Sequence, residues 1–268
     1  VRVHTAVYVR GLRRHSTYRA ALVAGAFTNA VFGAINAMVL LAVFSARPEI
    51  NGYDAGDAVT QVFVGQALIA VTLIVNTAPS LDLAERVRDG DVATDLLRPV
   101  SLLGWWLAQD LGRATFTFLF RGVPTFCVGL LLFDVALPDT PARAVAVVLS
   151  VVLAALIGFA LRYLCSLSGF WLVDSRGLWT ASGLVAPVAA GMLLPLALFP
   201  PALGDVLRLL PWASMVQIPA EILLGKESPP FGGAFGGLVL QAWWAAALLV
   251  FSAWLTGRAA RRVVIQGG

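Results

Sequence analysis

Apolar residues run along this chain in blocks of bilayer-spanning length, separated by short polar segments. The blocks are Ala20 to Phe44, Ala58 to Pro79, Leu102 to Phe133, Val145 to Trp171, Leu178 to Phe199 and Leu238 to Thr256. About 20 apolar residues cross a hydrocarbon core of roughly 30 Å. The pattern predicts an all-α polytopic membrane protein with six transmembrane helices in one domain over residues 1–268. The third block is too long for one straight span. Asp110 and Arg113, three apart, pair near its boundary, which puts Leu102 to Gly112 at the interface with Trp105 and Trp106 as anchors and Ala114 to Phe133 in the bilayer. Arg121-Gly122 followed by Pro124 predicts a kink, and Gly183, Pro187, Gly191 and Pro195 break the fifth block before Pro200-Pro201 end it.

The second block is the most polar, with Thr60, Gln61, Gln66, Thr72, Asn76 and Thr77, and is expected to face other helices or a cavity. Asn29 and Asn36, seven apart in the first, share a helix face. The one long polar run is Ser80 to Ser101. Its charges cannot sit in hydrocarbon, where each costs about 2.5 to 3.5 kcal/mol on insertion scales. Asp82 to Arg86 and Glu85 to Asp89 stand at i, i+4 spacing among Leu81, Leu83 and Ala84, which predicts a short interfacial helix ended by Gly90; Arg98-Pro99 marks a second boundary. A solvated turn is the plain alternative. Residues 1–19, with five arginines and an imperfect apolar stripe, read as an interfacial helix with snorkelling arginines. Residues 202–237 are too apolar for a solvated loop and too interrupted by Pro211 and Pro219 to cross once, so short re-entrant helices at the outer leaflet are expected, or equally a structural cap at a dimer interface.

Composition sharpens this picture. Of 268 residues 59% are hydrophobic and 13% charged, and the mean hydropathy is +0.84. The expected inner segments hold twelve arginines (2, 10, 13, 14, 19, 86, 88, 98, 176, 258, 261, 262), the outer ones hold four cations (Arg47, Arg143, Arg208, Lys226), and Arg113, Arg121 and Arg162 are embedded. Twelve against four puts both termini and the Ser80 to Ser101 loop in the cytoplasm. Nucleic acid is not an expected partner, because no basic stripe is interleaved with exposed aromatics. Cys127 and Cys165 read as buried thiols. The first span follows a basic start without a cleavage pattern and is expected to stay as an anchor.

Catalytic chemistry is sparse. The sequence has no GxxxxGK[ST], HExxH or GxSxG stretch, and His4 and His15 both lie in the basic N-terminal segment. Carboxylates are almost absent from the span interiors, which disfavours a proton-coupled transporter. We expect no catalytic residue, no metal site and no cofactor in this chain.

Three stretches together resemble the permease subunits of ABC-2 type exporters, in the bacterial six-span group that includes viologen and drug exporter permeases. They are RDGDVATDLLRPV (Arg88 to Val100), LPWASMVQIPAEILLGK (Leu210 to Lys226) and the tail RRVVIQGG (Arg261 to Gly268). The resemblance implies a permease domain in a bacterial cytoplasmic membrane, a second permease chain, unlike or identical, and two copies of a separate cytoplasmic ATPase that carries ATP and Mg. It implies coupling to that ATPase through the N-terminal helix and the loop holding Leu81, Leu83, Glu85, Val87, Arg88, Gly90, Leu97, Arg98 and Pro99, with Leu81, Leu83 and Val87 as apolar knobs for a groove on the partner. It also implies a pathway along spans two and five, where this chain offers Gln66, Thr72, Asn76, Pro187 and Pro195. The apolar fifth span argues for a hydrophobic or amphipathic substrate, and the absence of an importer-type EAA loop argues for export. A membrane scaffold that transports nothing remains the alternative, and an intramembrane enzyme is a more remote one.

Overall fold

Caps and prolines decide where the apolar helices begin in the computed structural model, which describes residues 2–16, 19–73, 75, 82–97, 99–172, 175–226 and 232–266. Helix α1 (Arg2–Ser16) and α2 (Arg19–Ala46) are followed by α3 (Ala55–Thr72), which opens on a capping box: the Asp54 side chain accepts from the Asp57 amide and Asp57 answers the Asp54 amide. Two short helices follow, α4 (Asp82–Arg88) and α5 (Val92–Leu96), joined through Gly90 at φ 82°. Ser101 caps α6 (Leu102–Thr117); one π-helical stretch, Phe118–Gly122, links it to α7 (Val123–Leu132). Thr140 caps α8 (Pro141–Leu167) with Pro141 in its first turn, so this helix starts four residues before the expected Val145. Then come α9 (Arg176–Ala189), α10 (Pro201–Leu209), α11 (Gln217–Leu224) and α12 (Gly233–Gln266). No strand occurs among the described residues.

Among the described residues, five helical stretches are long and apolar enough to cross a membrane: Ala20–Ala46, Ala55–Thr72, Leu102–Leu132, Pro141–Phe170 and Gly233–Arg261. The expected fifth span differs. Its helix, α9, stops at Ala189 after 14 residues, and the chain continues through Gly191 at φ 70° and a single 3-10 turn at Leu196–Leu198. Pro187 near the C-terminal end of α9 and Pro195 beyond it deny the backbone the donors a continuing helix needs. In the third block the helix runs on past Gly112, and its irregularity, the π stretch Phe118–Gly122, falls at the expected Arg121-Gly122 position, where Gly122 lets the π turn approach the Ala67 carbonyl of α3.

Helix α3 is the axis of the bundle. Nearly every residue in it is buried, enclosed by α2, α6, α7, α8 and α11. The faces of α2 and α12 instead present Phe27, Phe32, Met38, Trp243 and Val250 outward, as lipid-facing helices do. Cys127 is likewise exposed on α7 rather than buried, and neither cysteine forms a disulfide.

Helix α1 does not lie alone on a membrane surface. It packs along α6 at a crossing that only glycine permits: a Cβ on Gly11 would overlap the Gln109 carbonyl oxygen, and one on Gly112 would overlap that of Tyr8. Tyr8 also donates to Thr115 Oγ1 at 3.1 Å. A Gly112→Ala variant therefore forces backbone against backbone and should cost about 1 to 3 kcal/mol, read as a lower unfolding midpoint in detergent and earlier proteolysis of α1. Gly257→Ala, which meets nothing within 4 Å, serves as the neutral control.

Candidate functional site

At the end of the bundle that carries α1, α4 and α5, the apolar residues of α4 point inward. Leu83 is fully buried with Val92, Leu102, Trp106, Phe159, Tyr163 and Leu167, and Val87 rests near Gly169 just after α8. This corrects the expected orientation: Leu83 is a knob for this chain's own core, not for a groove on another protein, because the helix is too short to bury one apolar face twice. Arg86 forks onto the buried Asp95 at 2.5 and 3.1 Å, closing α4 against α5, and Arg14 reaches Asp82 at 2.9 Å, tying α1 to α4. What remains outward is Glu85, Arg88 beside Asp89 at 3.1 Å, Gly90, Pro99 and Leu97, which is 86% exposed. Leu81 and Arg98 lie outside the described residues, as does Asn76 of the expected pathway set.

A buried ionic cluster at the C-terminal end of α3 was only half legible. Asp110 accepts from Arg113 Nε at 2.7 Å, the expected pair, and also from Arg162 Nη2 at 2.6 Å. Arg113 donates to the Ala70 and Val71 carbonyls at 2.6 and 2.8 Å, and Arg162 donates to the Thr72 carbonyl. These are the last carbonyls of α3, which ends in Leu73 at φ 52°. Each would cost several kcal/mol if left unsatisfied at membrane depth. Two guanidiniums on one carboxylate leave one positive charge, placed at the negative end of the helix dipole. Arg162 could have been matched from sequence by asking which carboxylate was left to neutralise it; Asp110 is the one in the adjoining blocks.

Arg121 finds its partner on α2. Its Nη2 donates to Asn29 Oδ1 at 2.8 Å, and Asn29 Nδ2 donates to the Gln66 carbonyl of α3 at 3.0 Å. Of the expected pathway residues, Gln66 is buried against Gly33, Thr72 donates to Leu68 of its own helix, and Pro187 and Pro195 are buried at the α9 break. In this single chain they face protein rather than an open channel.

A second polar cluster, which sequence reasoning missed, sits at the opposite end. Gln61 of α3 donates to the Gly191 carbonyl at 2.9 Å and to Gln217 Oε1 of α11. Gln217 Oε1 also takes the Leu196 amide at 3.0 Å, while its Nε2 donates to the Tyr53 hydroxyl at 3.0 Å and to Glu221 at 2.7 Å. Arg208 of α10 closes the set on Glu221 at 3.1 Å. Burial first, and then the nearby Glu221 carboxyl, push the Tyr53 phenol well above its ordinary value, so it stays a neutral hydroxyl. Helix α11 is thus a buried element whose Gln217, with Gln61 of α3, feeds the broken backbone after α9. No group of three or more His, Cys, Asp or Glu placed to hold a metal occurs among the described residues.

Residues 30–267 match the family model described as ABC-2 family transporter protein, which takes in the C-terminal part of α2 and every later helix. No curated protein and no solved structure matches the chain.

The Asp110 cluster generates a stability prediction. Asp110→Asn leaves two buried guanidiniums without a counter-ion and should cost about 3 to 5 kcal/mol; Arg162→Leu, which leaves the Arg113 pair intact, should cost less. In a double-mutant cycle the two should be non-additive by about 0.5 to 3 kcal/mol, measured from unfolding midpoints in detergent micelles. Additive losses would show that Arg162 and Asp110 act independently.

Proposed function

The chain belongs to the ABC-2 transporter family, as a multi-pass membrane component rather than the ATPase, and from that premise we propose that it is the permease subunit of an ATP-driven exporter. In this reading two copies of a cytoplasmic ABC ATPase bind ATP and Mg, and a second permease chain completes the pathway. Both termini and the α4–α5 loop face the cytoplasm of a bacterial cell, and the substrate is hydrophobic or amphipathic. The exposed apolar face of α9, with Leu178, Leu184, Val185 and Val188, supports that substrate class where it meets the second chain.

One observation carries the proposal: the α4–α5 loop is built as a lever with a rigid root and a free outer surface. Leu83 and Val92 fix it to α6 and α8, the Arg86–Asp95 fork stiffens it, and Arg14–Asp82 links it to α1. A push on Glu85, Arg88 and Leu97 is then transmitted to α8, whose Arg162 holds the end of α3. Movement of the loop reaches the axis of the bundle in two steps. ATP binding on the partner would drive that movement, and α3 and the broken α9 would supply the alternating elements around Gln66, Thr72 and Pro187.

Co-purification of the tagged chain from its native membrane, with mass identification of bound proteins and an ATPase assay, tests the partnership. Recovery of a nucleotide-binding subunit with ATP turnover is the expected result, and recovery of the chain alone would favour a scaffold. Glu85→Arg with Leu97→Asp alters only the outer surface. It should reduce ATPase capture about thirtyfold, the size of a contact worth about 2 kcal/mol, while the unfolding midpoint holds. Leu83→Ala should instead lower stability by about 2 to 5 kcal/mol.

A further inference from the structure

A cavity of about 1110 Å³ opens between α1, α4, α5 and the start of α6. Its charge comes from Arg10, Arg13, Arg14 and Arg86 set against Asp82 and Asp95. Both carboxylates are already engaged, Asp82 by Arg14 and Asp95 by Arg86. Four guanidiniums minus two carboxylates leave two positive charges, and Arg10 and Arg13 have no ion pair among the described residues. The two stand three residues apart on α1, both exposed and both lining the cavity.

The α6 side of the cavity is aromatic. Trp106 lines it while only 4% exposed, and Trp105 beside it, with Val9 of α1, gives the cavity an apolar rim.

Depth identifies the ligand. The helical stretch Leu102–Leu132 has 31 residues, about 46 Å at 1.5 Å per residue, against roughly 30 Å of hydrocarbon. With Leu132 at the far boundary, its first ten residues, Trp105 and Trp106 among them, stand at headgroup level, where indoles concentrate. This placement rests on reading the stretch as membrane-spanning. None of Glu85, Arg88 and Leu97, the surface assigned to the ATPase, lines the cavity.

We propose that this cleft binds the phosphodiester headgroup of an anionic phospholipid from the adjoining leaflet. Arg10 and Arg13 take the phosphate oxygens, and Trp105 and Val9 flank the glycerol and the first acyl carbons. The lipid braces α1 against α4 beside the Arg14–Asp82 bridge.

The full chain in nanodiscs of equimolar phosphatidylcholine and phosphatidylglycerol, released for native mass spectrometry, tests this. Phosphatidylglycerol should be retained preferentially, and Arg10→Gln with Arg13→Gln should lower the preference on the order of tenfold without moving the unfolding midpoint. Arg88→Gln, which removes an exposed cation outside the cleft, should leave the preference unchanged. Equal retention of the two lipids, or an equal fall with Arg88→Gln, would overturn the proposal. So would binding of inorganic phosphate by lipid-free protein as tightly as the lipid. Loss of the bound lipid when the chain is purified together with its ATPase would give the cleft to the protein partner. Each of these readouts is independent of whether ATP turnover is found.

Discussion

A helix that ends inside a protein at membrane depth must hand its last carbonyls to something, and the way α3 does so governs the rest of this structure. Backbone oxygens of Ala70, Val71 and Thr72 are taken by two guanidiniums from two different helices, Arg113 of α6 and Arg162 of α8. Both arginines are made tolerable by one carboxylate, Asp110, buried between them. Helix ends, arginines and carboxylate are mutually required: without the carbonyls the cluster has an excess charge with nowhere to point, and without the cluster α3 cannot stop where it does. Gly158 completes the arrangement, since a Cβ there would stand 3.0 Å from the Thr72 carbonyl oxygen and wedge α8 away from α3.

The other half of α3 solves the same problem with amides anchored by a buried ion pair. Here the irregular backbone belongs to its neighbour, the segment after α9; Gln61 and Gln217 supply the missing hydrogen bonds, and Gln217 is held in turn by Glu221, which Arg208 neutralises. Gly191 is required by both its positive φ and its surroundings, because a side chain would collide with the Gln217 amide.

Much of this was legible in the sequence where local chemistry decides. The apolar blocks, the Gly90 stop, the Asp110–Arg113 pair and the interruption of the fifth block all follow from residue type and spacing. What escaped is what depends on which helix lies next to which. Arg162 lies 52 residues from Asp110, and Gln61 lies 156 residues from Gln217; no periodicity connects them. The orientation of α4 was missed for a related reason. Leu83 and Val87 mark an apolar face, but only the neighbouring helices show that this face turns to the chain's own core. The length of α3 was overestimated because Asn76 and Thr77 continue the polar pattern past Thr72, whereas the stop is imposed by arginines on other helices.

These particulars bear on how a chain without a nucleotide-binding motif could respond to nucleotide. Transmission through a packed protein needs elements that move as units, joined by contacts that do not slip. The α4–α5 loop is joined to α8 by fully buried apolar contacts, and α8 is joined to α3 by Arg162, a side chain that cannot leave its carbonyl without leaving that buried oxygen unpaired. From α3 the path continues to the cluster of Gln61, Gln217 and Glu221, where the backbone is already broken. In the proposed reading, a displacement entering at the loop reaches α9 and α11 last, through a helix whose two ends are both held by buried polar clusters. The broken segment between α9 and α11 is therefore where a change of backbone conformation meets the fewest helical hydrogen bonds.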